Sequence, residues 1–215
     1  MKQDRLWYAA YGSNLLHARF SLYLTGGSYA KGHRRHIGAR DNQKPKSEAP
    51  LINGPWRLCF GHSSSRWGGG VAFLDPENDQ GASVRCWNIT HQQFADVAAQ
   101  ENGLLPGELE INVDEVMANG DVEIGNSWYS RIVYLGDHQG LPLLTFTSSQ
   151  PPEPTTPGEP YLSVILNGFL EAEPTKLDQH VDRLLRADGV APIWTREALL
   201  GLANRSTRDQ RSHES

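Results

Sequence analysis

Apolar positions fall in blocks short enough for strands, interleaved with stretches at helical spacing. Residues 6–10 form an unbroken apolar run and read as a first strand, while Leu16, Phe20 and Leu24 share one face of a helix over 15–24. A long polar, Pro-containing loop follows. Residues 56–60, 70–74 and 83–89 read as strands, the last setting Val84 and Cys86 against Arg85 and Trp87. A second helix spans 91–101: Thr90 with Gln93 three positions on is a capping box, and Asn102-Gly103 is a stop. Residues 111–116, 128–135 and 143–146 read as three further strands, separated by turn signals at Asn119-Gly120 and Gly136. After a Pro-rich connector over 151–160, residues 161–170 and 176–186 read as helices, the second with Leu177, Val181, Leu184 and Leu185 on one face. This order is α+β.

Length and composition narrow the class. The 215 residues suffice for one core, so residues 1–204 read as a single domain and 205–215 as a disordered polar tail. A hydrophobic fraction of 38%, with no apolar run of membrane-spanning length and no signal-peptide core at the start, predicts a cytoplasmic protein that engages no membrane. Cys59 and Cys86 sit among strand-like apolar residues and read as reduced core thiols. The net charge of -5 argues against nucleic acid as a partner, and the locally basic segment 31–46 reads as a solvated loop.

Two places carry candidate chemistry. In Tyr8-Ala9-Ala10-Tyr11-Gly12-Ser13-Asn14-Leu15 an apolar strand runs into a Gly-Ser-Asn turn and then a helix; Gly12 permits close approach, Ser13 or Asn14 can cap the helix, and backbone N–H groups are left for an anion. On the second helix the apolar stripe Phe94, Val97 and Ala98 continues to Glu101, which puts a carboxylate on the core-facing side, whereas His91, Gln92 and Asp96 fall on the solvent side. Such a carboxylate either reaches solvent at the helix end, pairs with an arginine, or serves as a general base whose pKa is raised by partial desolvation and the negative end of the helix dipole. Other chemistries find less support. Ser13 lies in no nucleophile elbow, and His17 on the following helix does not complete a serine-hydrolase set. His33 and His36 have no neighbouring Cys or acidic cluster to make a metal site, and Gly68-Gly69-Gly70 lacks the spacing and lysine of a phosphate loop. No metal or cofactor is expected.

Tyr11-Gly12-Ser13-Asn14-Leu15 after an apolar strand resembles the signature loop of the gamma-glutamylcyclotransferase-like family. Gln100-Glu101 at a helix end resembles that family's catalytic glutamate site, although Asn102 intervenes where the family has glycine directly. Trp67-Gly68-Gly69-Gly70-Val71-Ala72 resembles its Trp-x-Gly-Gly segment, and Tyr161 its substrate-contacting tyrosine. The resemblance extends in order from about Leu6 to Gly168. It implies a small mixed β-barrel flanked by helices, with Glu101 catalytic and Tyr8, Ala9, Ala10, Tyr11, Gly12, Ser13, Asn14, Gly69 and Tyr161 binding substrate. The implied reaction cleaves a gamma-glutamyl amide through attack of the substrate's own α-amine, giving 5-oxoproline and an amine or amino acid. An amide hydrolase using the same glutamate, and a non-catalytic metabolite-binding module, stay open as alternatives. The implied partner is a small gamma-glutamyl molecule, with a homodimer left open.

Overall fold

In chain order the elements are β1 (Arg5–Ala10), α1 (His17–Thr25), β2 (Ser47–Asn53), β3 (Arg57–Ser64), β4 (Gly69–Asp75), β5 (Ser83–Thr90), α2 (His91–Glu101), α3 (Val113–Asn119), β6 (Asp121–Glu123), β7 (Arg131–His138), β8 (Leu141–Thr147), α4 (Glu159–Ala172) and α5 (Leu177–Leu184). They come from a computed structural model that describes residues 4–29, 35–191 and 193–203. The expected tail from Arg205 and His33 lie outside the described residues. Two compact units divide the chain: Met1–Ala10, His17–Ala49 and Arg85–Gln150 form the first, and Tyr11–Leu16, Pro50–Val84 and Pro151–Ser215 the second.

β1 is an inner strand, which is why it is apolar on both faces. It pairs antiparallel with β5, Tyr8 opposite Trp87, and parallel with β8, Tyr8 opposite Leu144. The sheet order is β2-β5-β1-β8-β7-β6, with β3 and β4 paired separately. The class is the expected α+β, but the strand order leaves β2 and β6 as outer strands, so the sheet is open where a closed barrel was expected. A three-residue β6 offers few ladder groups with which to close a ring. In the first unit the helices cover a core of Leu6, Phe20, Trp87, Phe94, Leu144 and Phe146, each worth about 1.5–3 kcal/mol on burial.

Several expected elements change. The strand expected at 111–116 is instead the start of α3: the Asn112 side chain accepts from the Glu115 N–H, Asp114 and Glu115 occupy the positive first turn, Gly120 closes the helix left-handed, and Val113 and Val116 are buried at helical spacing. The polar loop before residue 56 contains β2, whose Pro50 suits an outer strand. Residues 13–15 form a 3-10 turn without a side-chain cap, so neither Ser13 nor Asn14 caps α1, which begins at His17. Cys59 and Cys86 are buried and unbridged, and burial pushes both thiols up to about 12.

In the second unit β3 and β4 form an antiparallel ribbon, Phe60 opposite Ala72. Arg57 donates to Asp75 at 2.7 Å and to Asp188 at 3.0 Å, fastening the ribbon to the segment after α5. The wholly buried His180 of α5 stacks on Phe169 of α4 at 4.8 Å. Its Nδ1 lies 3.1 Å from Ser83 Oγ, and its Nε2 lies 3.0 Å from Glu173 Oε2.

Burial lowers the His180 pKa, only partly offset by Glu173. Burial opposes the charge of Glu173, but hydrogen bonds from Lys176 and His180 outweigh it and hold that carboxyl below its usual range. Both groups therefore bind protons more weakly folded than unfolded, so stability is full above about pH 6.5 and is lost as pH falls, first through His180 and then through Glu173. Thermal melts between pH 7.5 and 4.5 should show the midpoint falling on acidification, with the His180→Asn variant flattening the upper part of that slope.

Candidate functional site

Glu101 is half-buried at the last position of α2. The helix that carries it starts where local chemistry dictates: the Thr90 hydroxyl accepts from the Gln93 N–H at 3.1 Å, and the Gln93 side chain accepts from the Thr90 N–H at 3.0 Å. At its other end the Asn102 side chain donates to Ala98 O and Tyr129 O, both at 3.0 Å. Phe94, Val97 and Ala98 are buried as the stripe requires.

A second, polar stripe runs beside the apolar one. Gln93, Asp96 and Gln100 recur at positions i, i+3 and i+7, and each grips a strand-free segment or α1. Gln93 Nε2 donates to Asp41 O and Gln43 O at 3.1 and 2.8 Å. Asp96 is wholly buried rather than solvated as its charge suggested; it accepts from the Arg40 N–H at 2.9 Å, Arg40 Nε at 3.0 Å and the Gly107 N–H at 2.9 Å. Gln100 donates to Tyr23 O at 2.8 Å and accepts from the Gly38 N–H at 3.3 Å. The segment read as a solvated basic loop is thus fastened to α2 at residues 38–43.

Glu101 itself meets α1. The Tyr23 hydroxyl donates to its carboxylate, and burial, then the Glu101 charge, raise the Tyr23 pKa well above 10. The Tyr23 ring packs on His36 at 4.3 Å, and Arg19, buried one turn earlier, places Nη1 3.4 Å from His36 Nε2. Sequence reasoning found Glu101 but missed Tyr23, whose spacing with Phe20 and Leu24 marks only a buried helix face.

The other named residues divide between strand and turn. Tyr8 is buried in an aromatic cluster, 5.1 Å from Phe146 and 5.6 Å from Phe20. Ala9 and Ala10 are ladder residues opposite Cys86 and Arg85, and Ala9 O accepts from the Thr145 hydroxyl. Tyr11, Gly12, Ser13 and Asn14 lead into the 3-10 turn, closed by the Leu15 N–H on Gly12 O at 3.0 Å. Gly12 has φ -113°, so its glycine is required for space and not for a left-handed backbone. A Cβ there would stand 2.6 Å from the Tyr161 hydroxyl, which accepts from the Ala72 N–H at 3.2 Å. The Tyr161 ring packs against Trp67 at 5.0 Å. At Gly69 and Gly70 the close approach is made by the chain itself: a Cβ would strike the carbonyl oxygens of Thr156 and Thr155, and the Gly70 N–H donates to Thr156 O at 2.9 Å. Among the described residues no three His, Cys, Asp or Glu side chains group so as to hold a metal ion, and no helix is long and apolar enough to cross a membrane.

Known structures share this fold. A gamma-glutamyl cyclotransferase superposes with a TM-score of 0.50 at 16% identity, over 94% of this chain and 99% of that one. The uncharacterized protein loc79017 of Homo sapiens gives 0.50 at 18% identity, over 85% and 88%. YkqA of Bacillus subtilis gives 0.51 at 15% identity, over 88% of this chain and 57% of that one. The chain therefore has the fold of a gamma-glutamyl cyclotransferase. In sequence it is 38% identical over 160 residues to Histone deacetylase 5 of Arabidopsis thaliana, a match that takes in 66% of this chain and 23% of that protein. The chain thus spans about a quarter of that relative's length. No protein-family model matches it.

Two stability measurements check the packing around these residues. Asp96→Ala leaves buried donors without their acceptor and should cost about 3 kcal/mol or more in denaturant melts, whereas Asp178→Ala, which breaks an exposed pair with Arg196, should cost less than about 1 kcal/mol. Gly12→Ala should destabilise through the Tyr161 hydroxyl, and adding Tyr161→Phe should recover part of the loss; strict additivity in that cycle would refute the contact.

Proposed function

We propose that this protein cleaves gamma-glutamyl amides by cyclisation. The substrate's α-amine nitrogen attacks the γ-carbonyl carbon, forming the five-membered lactam, and the bond to the departing nitrogen breaks. One proton leaves the attacking nitrogen and one reaches the leaving amine, so the products are 5-oxoproline and a free amine or amino acid. The observation that carries this reading is Glu101: a half-buried carboxylate at the C-terminal end of α2, on the shared fold, held by a neutral phenol donor. Glu101 takes the proton from the attacking ammonium and returns it to the leaving nitrogen.

Ring closure needs little else from the protein. An intramolecular attack from a well-oriented conformer gains effective molarities of roughly 10⁵ to 10⁸ M, so holding the glutamyl chain folded supplies much of the acceleration. The Tyr11–Asn14 turn is assigned the anion, either the substrate carboxylate or the developing oxyanion, through backbone N–H groups. Gly69 and Tyr161 enter as support, since the Tyr161 hydroxyl fills the space that Gly12 leaves open and Gly69 admits the 155–158 segment. The fold neighbour's name agrees with this reading.

A hydrolase using Glu101 to activate water would release glutamate instead, and product identity separates the two. Mass spectrometry on a panel of gamma-glutamyl compounds should find 5-oxoproline, and Glu101→Gln should lower its formation by roughly 10² to 10⁴ while the protein stays folded. Acetylating the substrate's α-amine should abolish turnover. Release of the amine from the acetylated substrate at an undiminished rate would exclude cyclisation and establish hydrolysis.

A further inference from the structure

We infer that Tyr23 is the positioning residue of Glu101, fixing the direction and the charged state of the carboxylate through its hydroxyl. The inference rests on the reading of Glu101 as the base. Two consecutive residues of α2 grip Tyr23 at its two ends. Gln100 Nε2 donates to the Tyr23 carbonyl at 2.8 Å, and the Glu101 carboxylate accepts from the Tyr23 hydroxyl. The phenol is thereby held along its whole length and cannot swing away without breaking the α1–α2 contact.

The surroundings keep it in place. Tyr23 is buried, its ring lies 4.3 Å from that of His36, and the Gly38 N–H donates to the same Gln100 whose amide grips the Tyr23 carbonyl. The charged and titratable groups that face it are few: Arg19 from the preceding turn of α1, His36 from the segment after it, Tyr8 from β1 and Glu101 from α2. Buried beside a carboxylate, the phenol keeps its proton at every pH at which the enzyme would be assayed, so it is a constant donor. A donor aimed at one carboxylate oxygen favours the ionised acid and leaves the other oxygen for a proton from substrate. Without it, the half-buried carboxylate would hold its own proton to higher pH and rotate more freely about its terminal torsion.

The test is the pH profile of Tyr23→Phe, which removes one oxygen and retains the ring. The acid limb of kcat/KM for 5-oxoproline release should move up by about one unit, and kcat at neutral pH should fall about tenfold with KM within about twofold. A ¹³C titration of the Glu101 carboxyl, assigned through Glu101→Gln, should move by the same amount without any reference to turnover. If Glu101→Gln is inactive but Tyr23→Phe leaves both the limb and the titration unmoved, the inference is overturned while the base survives. If Glu101→Gln keeps its turnover, the base reading fails instead, and with it the catalytic role given to Tyr23. Should Tyr23→Phe not fold, the wild-type protein still decides: the Tyr23 hydroxyl proton should be protected from exchange and observable by NMR, and Glu101→Ala should abolish that protection. Absence of a protected hydroxyl proton that responds to Glu101→Ala overturns the inference.

Discussion

The buried carboxylate of Asp96 is the interaction on which the first unit depends. A wholly buried negative charge is costly unless its lone pairs are filled, and here they are filled by two backbone N–H groups and a guanidinium. Those donors belong to Arg40 and Gly107, residues with no regular structure of their own, so one side chain fixes two loops to one helix. Gln93 and Gln100 extend the clamp a turn in each direction. The end of α2, and therefore Glu101, is held against α1 by the same row of contacts.

The second unit uses a different device, close approach of backbone through missing side chains. Gly69, Gly70 and Gly158 allow the 155–158 segment to lie directly on β4 and the residues before it, with the Gly70 N–H bonded to Thr156 O. Gly168 does the same for α4, since a Cβ there would sit 2.6 Å from that of Leu15. Gly12 faces the Tyr161 hydroxyl. The glycines that read as room for a ligand are, at 69 and 70, room for the chain itself, and the resemblance of this segment to a substrate-binding loop now concerns the backbone around it more than the glycines.

What the sequence discloses is what local chemistry decides. The span of α2 follows from Thr90, Gln93 and Asn102-Gly103, whose partners lie within four residues, and β1 and β5 follow from runs of buried residues. Where a local signal competes with another, the reading fails: Ile111 and Val113 alternate as a strand would, but the Asn112 cap and the acidic first turn win and form α3. Where the decisive partner is distant, no pattern reveals it. Asp96 looks solvated because Arg40 lies far away in sequence, Gly12 looks like a turn because Tyr161 is near the other end of the chain, and Tyr23 looks like core because nothing nearby points to Glu101. The carboxylate is legible from its place on a helix; its donor is not.

The two thiols have a practical consequence. Cys59 and Cys86 are buried and protonated far above neutral pH, so neither presents the thiolate that alkylating reagents attack. The native fold is therefore silent to such reagents. A single cysteine introduced at an exposed position would carry a fluorophore or spin label without first removing either native one, and any labelling of the unaltered chain would report local opening of β3 or β5.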